Sequence, residues 1–232
     1  MVATSDDETL DFDSLTPEKI TEWMESLTRR QATTTPAKTT APQVKTNSLK
    51  ASADAIRAII GKPFDLCEIP AGDFLYGDDK RKMTLPAFAM AKYPITYSQY
   101  QVFVEAKDGL HDRRWWQGLA QSENNLGDQQ WKIAEHPRKN INWYDALAFC
   151  RWLSHKLGGE SDIDKLSQWL VRLPTEFEWE KAARGTEGLI YPYGNDFDKN
   201  KSKTKESGIG QTTAVTLYSQ GASPYGVLDM SG

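Results

Sequence analysis

The sequence predicts a domain of mixed α and β elements kept apart along the chain, short strands first and short helices after, with long loops between them. Three observations predict it. Apolar alternation across residues 64 to 95 is interrupted by turn residues every few positions, the mark of short paired strands. Three later segments carry helix start signals, at Thr96, Asn142 and Thr175, and the last two also carry stops at Gly158 and Gly185. Eight Trp, nine Tyr and eight Phe supply the large side chains that irregular loops need as anchors.

The 232 residues suffice for one domain of ordinary size plus a tail. Net charge is -4 with a pI near 5.5, and the basic residues are scattered among acids. That pattern points away from nucleic acid and from anionic membranes as partners. Cys67 and Cys150 are far apart and in no metal-like spacing, which fits a reducing compartment and argues against a disulfide framework. The acidic start, MVATSDDETLDFDSL, lacks the basic flank and apolar core of a secretory signal, and no apolar run has the length of a membrane span. A cytoplasmic location is the expectation.

Residues 1 to 30 read as an acidic tail and a short amphipathic helix over 14 to 30. There Thr16 caps, Pro17 occupies the first turn, and Ile20, Trp23, Met24 and Leu27 share one face, a surface suited to docking on a protein partner or on its own domain. Residues 31 to 50, rich in Thr, Ala, Pro and Lys, bury too little to order themselves and read as a disordered linker. A short helix is predicted within 51 to 63, closed by Gly61. The main domain runs from 64 to 232.

Within it, FDLCEIPAGDFLYG predicts two strands about a turn and MTLPAFAMAKYPIT another pair. A helix follows Thr96, with Gln99 as capping-box partner and Tyr100, Phe103 and Val104 inward. Residues 107 to 140 show neither period; a loop this long is functional or tied down, and Trp115, Trp116 and Trp131 are the ties. The next helix starts at Asn142 and stops at Gly158, with Ala146, Leu147, Cys150, Leu153 and Leu157 inward. A polar insert, GESDIDKLSQW, comes next. After 186 the chain reads as loop, with AVTLY (214 to 218) as a strand. Val227, Leu228 and Met230 come so late that nothing after them covers them, which suggests a truncated C-terminus.

The best-marked segment is RLPTEFEWEKAARG, 172 to 185. Thr175 is an N-cap, Glu178 its capping-box partner, Pro174 holds the incoming chain extended, and Gly185 is the stop. Trp179, Ala182 and Ala183 offer a surface for close packing, and Arg172 and Arg184 are placed to pair with Glu176 or Glu180. Acids in a first helical turn already have an electrostatic reason to be there, so these read as architecture and not as acid–base catalysts.

This motif, followed by YPYGNDFD and SPYGVLDMSG and preceded by IPAGDFLYG, AKYPITYSQYQVFVEA and NINWYDALAFCRWLS, resembles the formylglycine-generating enzyme (sulfatase-modifying factor) family over about residues 64 to 232. The resemblance implies an α+β domain with a C-type-lectin-like fold, little regular secondary structure and long loops. It also implies an oxidoreductase lineage whose complete members oxidise a protein cysteine to formylglycine with copper held by two cysteines, or use histidine-bound iron in related oxidases.

No catalytic residue is assigned here, because those ligands are expected beyond Gly232; copper is expected only in complete members. Cys67 and Cys150 read as buried structural thiols, and His111, His136 and His155 show no ligand spacing. The resemblance places a calcium site at the Asn200 and Glu206 side chains and the Lys201 and Ile209 carbonyls, although the lysines of NKSKTKES repel a dication. Two function classes follow: an oxidase-type enzyme inactive as this chain, or a non-catalytic lectin-like module presenting loops 107 to 140 and 186 to 212 to a protein partner.

Overall fold

A computed structural model of the chain describes residues 46 to 120, 126 to 158 and 171 to 231. The predicted helix over 14 to 30, the linker up to residue 45 and the polar insert lie outside the described residues. The first helix, α1, spans Thr46–Ile60, so it starts inside the segment expected to be linker. Leu49 explains the extension: with Ala53, Ile56 and Ile60 it forms one continuous buried stripe. Gly61 closes the helix at φ 83, its amide donating to the Arg57 carbonyl at 2.9 Å.

Four short strands follow: β1 (Leu66–Ile69), β2 (Gly72–Tyr76), β3 (Arg81–Leu85) and β4 (Phe88–Ala91). They pair as β1 with β4 and β2 with β3, both antiparallel. One register runs through both pairs, from Leu66 opposite Ala91 through Gly72 opposite Leu85 to Tyr76 opposite Arg81. The strands are therefore a single ribbon interrupted at 70 to 71 and 86 to 87. Pro70 and Pro86 supply the reason, since neither has an N–H to continue the ladder.

Helix α2 (Tyr97–Glu105) carries the predicted capping box: the Gln99 amide donates to Thr96 Oγ1 at 3.2 Å, and the Thr96 amide to Gln99 Oε1 at 2.9 Å. Gln99 Nε2 also donates to the Gly61 and Pro63 carbonyls, so one buried side chain caps α2 and secures the exit of α1. Helix α3 (Trp143–Gly158) opens on a reciprocal Asn142–Asp145 cap. Its buried face differs from expectation. Ala148, Phe149 and Trp152 are buried with Cys150 and Leu153, whereas Ala146, Leu147 and Leu157 are half-buried. Packing against aromatic rings of α2 turns the helix this way: Tyr100, Phe103, Phe149 and Trp152 form a ring cluster with Tyr100 and Phe149 stacked at 5.3 Å and Phe103 and Trp152 at 5.4 Å.

In the described part of the segment 107 to 140, Trp115 and Trp116 are ties as predicted: both are buried, and their indole N–H groups donate to the carbonyls of Asp108 (2.7 Å) and Leu110 (2.9 Å). Trp131 is a lesser tie, half-buried under the Lys139 ammonium. The predicted strand at 214 to 218 is instead a turn. Val215 and Tyr218 are buried three residues apart, a turn spacing, and the Val215 amide donates to the Glu135 carbonyl without a ladder. The last helix, α4 (Glu176–Arg184), lies on a second core of Cys67, Ile69, Ala182, Ala183, Val227 and Met230. Val227, Leu228 and Met230, expected to lack cover, are therefore buried. No helix among the described residues is long and apolar enough to cross a membrane.

Candidate functional site

Helix α4 binds its surroundings through nearly every polar side chain. Thr175 and Glu178 form the predicted capping box, and Gly185 ends the helix at φ 69. Arg172 donates from both terminal nitrogens to Glu178 (2.6 and 2.5 Å) and not to Glu176 or Glu180. Burial pushes the Glu178 carboxyl up, but the Arg172 hydrogen bonds and the Thr175 amide outweigh it and hold the group below its ordinary range. Arg184 pairs with Glu180 at 2.6 Å, as expected. Glu180 also accepts the Gly77 amide, and Glu176 accepts the Tyr76 hydroxyl, both at 2.7 Å. Glu176 and Glu180 thus fasten α4 to the β2–β3 turn, while Glu178 fastens it to the chain that enters the helix. Trp179 does not join the packed surface: it is 45% exposed, while Ala182 and Ala183 are buried.

Lys181 is the most deeply placed charge on α4, at 1% exposure. Its ammonium donates to the carbonyls of Pro70 (2.7 Å) and Gly72 (2.9 Å), the acceptors at the interruption in the ribbon. Burial lowers its pKa. A lysine among acids on a capped helix looks like a solvent residue, and only the two facing carbonyls reveal otherwise.

The two thiols sit in different packed clusters. Cys67 belongs to the α4 core beside Gly226, and Cys150 to the aromatic core. Both are free and buried. Burial raises the Cys67 thiol and pushes Cys150 up to about 12, which opposes the thiolate form that copper ligation needs. The pair does not fit a copper site. His136 Nδ1 lies 2.8 Å from Thr212 Oγ1, and His155 packs on Trp115 at 5.2 Å. Among the described residues no three His, Cys, Asp or Glu side chains cluster.

The loop predicted to hold calcium borders a surface depression of about 380 Å³ lined by Lys199, Asn200, Ser207, Ile209, Leu217 and Tyr218. The structure brings Asn200 and Ile209 to it and leaves Lys201 and Glu206 outside the lining. The Lys201 carbonyl packs against Gly221, where an added Cβ would fall 1.8 Å from the oxygen. Glu206 is exposed, its own backbone amide holding the carboxyl low. One carboxylate amid several ammonium groups is a poor match for a hard dication, which wants converging oxygens.

Asp229 is a further residue that sequence reading missed. It adopts φ 55, an uncommon conformation for a residue with a side chain, and burial pushes its carboxyl up to about 6.

Comparison with known proteins matches residues 61 to 232 to the sulfatase-modifying factor enzyme 1-like domain. The chain is 29% identical over 157 residues to the serine/threonine-protein kinase Pkn1 of Chlamydia trachomatis, covering 65% of this chain and 22% of the kinase. It is 24% identical over 224 residues to the inactive Cα-formylglycine-generating enzyme 2 of Bos taurus, covering 74% of this chain and 69% of that protein. It is also 24% identical over 177 residues to the formylglycine-generating enzyme of Bos taurus, covering 57% of this chain and 43% of the enzyme.

Proposed function

The chain belongs to the sulfatase-modifying factor family, and we propose that its domain over residues 61 to 232 is a non-catalytic binding module on a C-type-lectin-like scaffold. The observation that carries this is the placement of the thiols: Cys67 and Cys150 are sealed into separate cores, and burial raises both above the ordinary thiol range. Identity supports neither activity nor its loss, since the relative named inactive and the one named formylglycine-generating enzyme are each 24% identical. What supports a binding role is the surface. Trp115 and Trp116 tie residues 108 to 116 of the first predicted loop in place, and large apolar side chains such as Ile190, Phe197 and Ile209 stay exposed in the second, 186 to 212. Two buried free thiols suit a cytoplasmic setting.

Incubating the chain with a cysteine peptide, dioxygen and copper tests this directly. No conversion above the metal-only blank is expected. Turnover would instead support the second reading, formylglycine generation, the activity that the name of one relative carries.

A further inference from the structure

The basic loop beyond Asp198 has a structural consequence that a cation site does not account for. Lys199, Lys201, Lys203 and Lys205 alternate along it. Two of them flank the depression described above: Lys199 lines it, and the Lys203 ammonium lies 3.4 Å from the hydroxyl of Ser207, another lining residue. Ile209 and Leu217 stand at 42% and 56% exposure and line it together with the buried Tyr218. The lining includes no acid. Of the nearby carboxylates, Asp198 accepts the Asn200 amide at 2.9 Å and faces the Lys201 ammonium at 4.0 Å, so it is directed at its own loop. The surface therefore offers ammonium groups and exposed apolar side chains around one depression.

We propose that this depression docks an acidic, apolar peptide segment of a partner protein, with a carboxylate between Lys199 and Lys203 and a neighbouring leucine- or phenylalanine-type side chain on Ile209 and Leu217. Charge complementarity selects the acidic group, because the cationic rim attracts it and repels a basic competitor. The apolar side chains select a peptide over a small anion, since a small anion would leave Ile209 and Leu217 uncovered. A nucleic acid is disfavoured by the net charge of -4 and by the apolar side chains beside the lysines.

This inference deepens the binding-module reading and rests on it. Its test is fluorescence anisotropy on the full chain with a labelled peptide of alternating Asp with Phe or Leu. Saturable binding is expected, weakened at least about tenfold by Lys199→Glu with Lys203→Glu, and again by Leu217→Ser. Circular dichroism confirms that these surface variants fold. Absence of saturable binding, or equal binding by both folded variants, overturns the proposal. So does an oligonucleotide that competes as well against Leu217→Ser as against the unaltered chain, because charge would then suffice. Turnover in the cysteine-peptide assay would remove the non-catalytic reading and leave these binding curves standing, so the two failures are separable.

Discussion

Arg172 grips Glu178 with two parallel hydrogen bonds of 2.6 and 2.5 Å, one to each carboxylate oxygen, just outside the helix that Glu178 caps. The pair joins the approach to α4 with its first turn, and Glu178 is the buried partner. Glu178→Gln is expected to cost about 1 to 2 kcal/mol near neutral pH, the value of charge-assisted bonds reduced because Arg172 is half open to solvent. The lowered carboxyl sets the pH sign. Its contribution is present above the ordinary glutamate range, about pH 4, and is lost as pH falls through the folded value. Denaturant titrations should show the gap between the two proteins narrowing below about pH 4. A gap unchanged down to strongly acidic pH would show that the charge of Glu178 contributes nothing.

The tryptophans separate by burial. Trp152 is 1% exposed within the ring cluster, and Trp152→Ala should cost about 3 to 5 kcal/mol. Trp179 resembles a core residue in sequence, but at 45% exposure its replacement by Ala should cost about 1 kcal/mol or less. Thermal melts of the two variants check the contrast. Equal losses would place the Trp179 ring in the core after all.

Asp229 predicts a pH effect of the opposite sign. Its carboxyl is raised by burial, so the folded state holds the proton more tightly, and stability falls as pH rises from about 4 to about 6. Asp229→Asn removes the charge and tolerates the positive φ. The variant should gain about 1 to 3 kcal/mol over the unaltered chain above pH 6 and little below pH 4. Parallel stability profiles across that window would contradict this.

Chelation addresses the loop at 199 to 209. With Glu206 exposed and Lys199 in the lining, a calcium chelator is expected to leave the melting temperature unchanged. A fall of several degrees, restored by added calcium, would return Asn200, Lys201, Glu206 and Ile209 to the role of ligands.

Much of the frame was legible because its signals are local. The capping boxes at Thr96 and Thr175, the stops at Gly61 and Gly185 and the anchoring by Trp115 and Trp116 each depend on a few adjacent residues. Where the reading failed, the deciding partner was remote. The 214 to 218 segment alternates like a strand but finds no ladder, and its Val215 amide turns to Glu135 instead. Ala146 and Leu147 look as apolar as Phe149, and only the rings of α2 decide which face goes in. Val227 and Met230 find their cover in β1 and α4, elements far behind them in the chain. The depression by Lys199 was invisible for the same reason, since Leu217 and Tyr218 reach it from another turn.

The ammonium of Lys181 closes a gap in a ribbon laid down 111 residues earlier, at Pro70. Until that helix arrives, two carbonyls of the ribbon have only water to turn to, and a two-part hairpin broken by prolines has little to hold it rigid. The early strands and the late helix are therefore expected to gain their order together, as one cooperative unit of high sequence separation, while the ring cluster between them assembles from nearer neighbours.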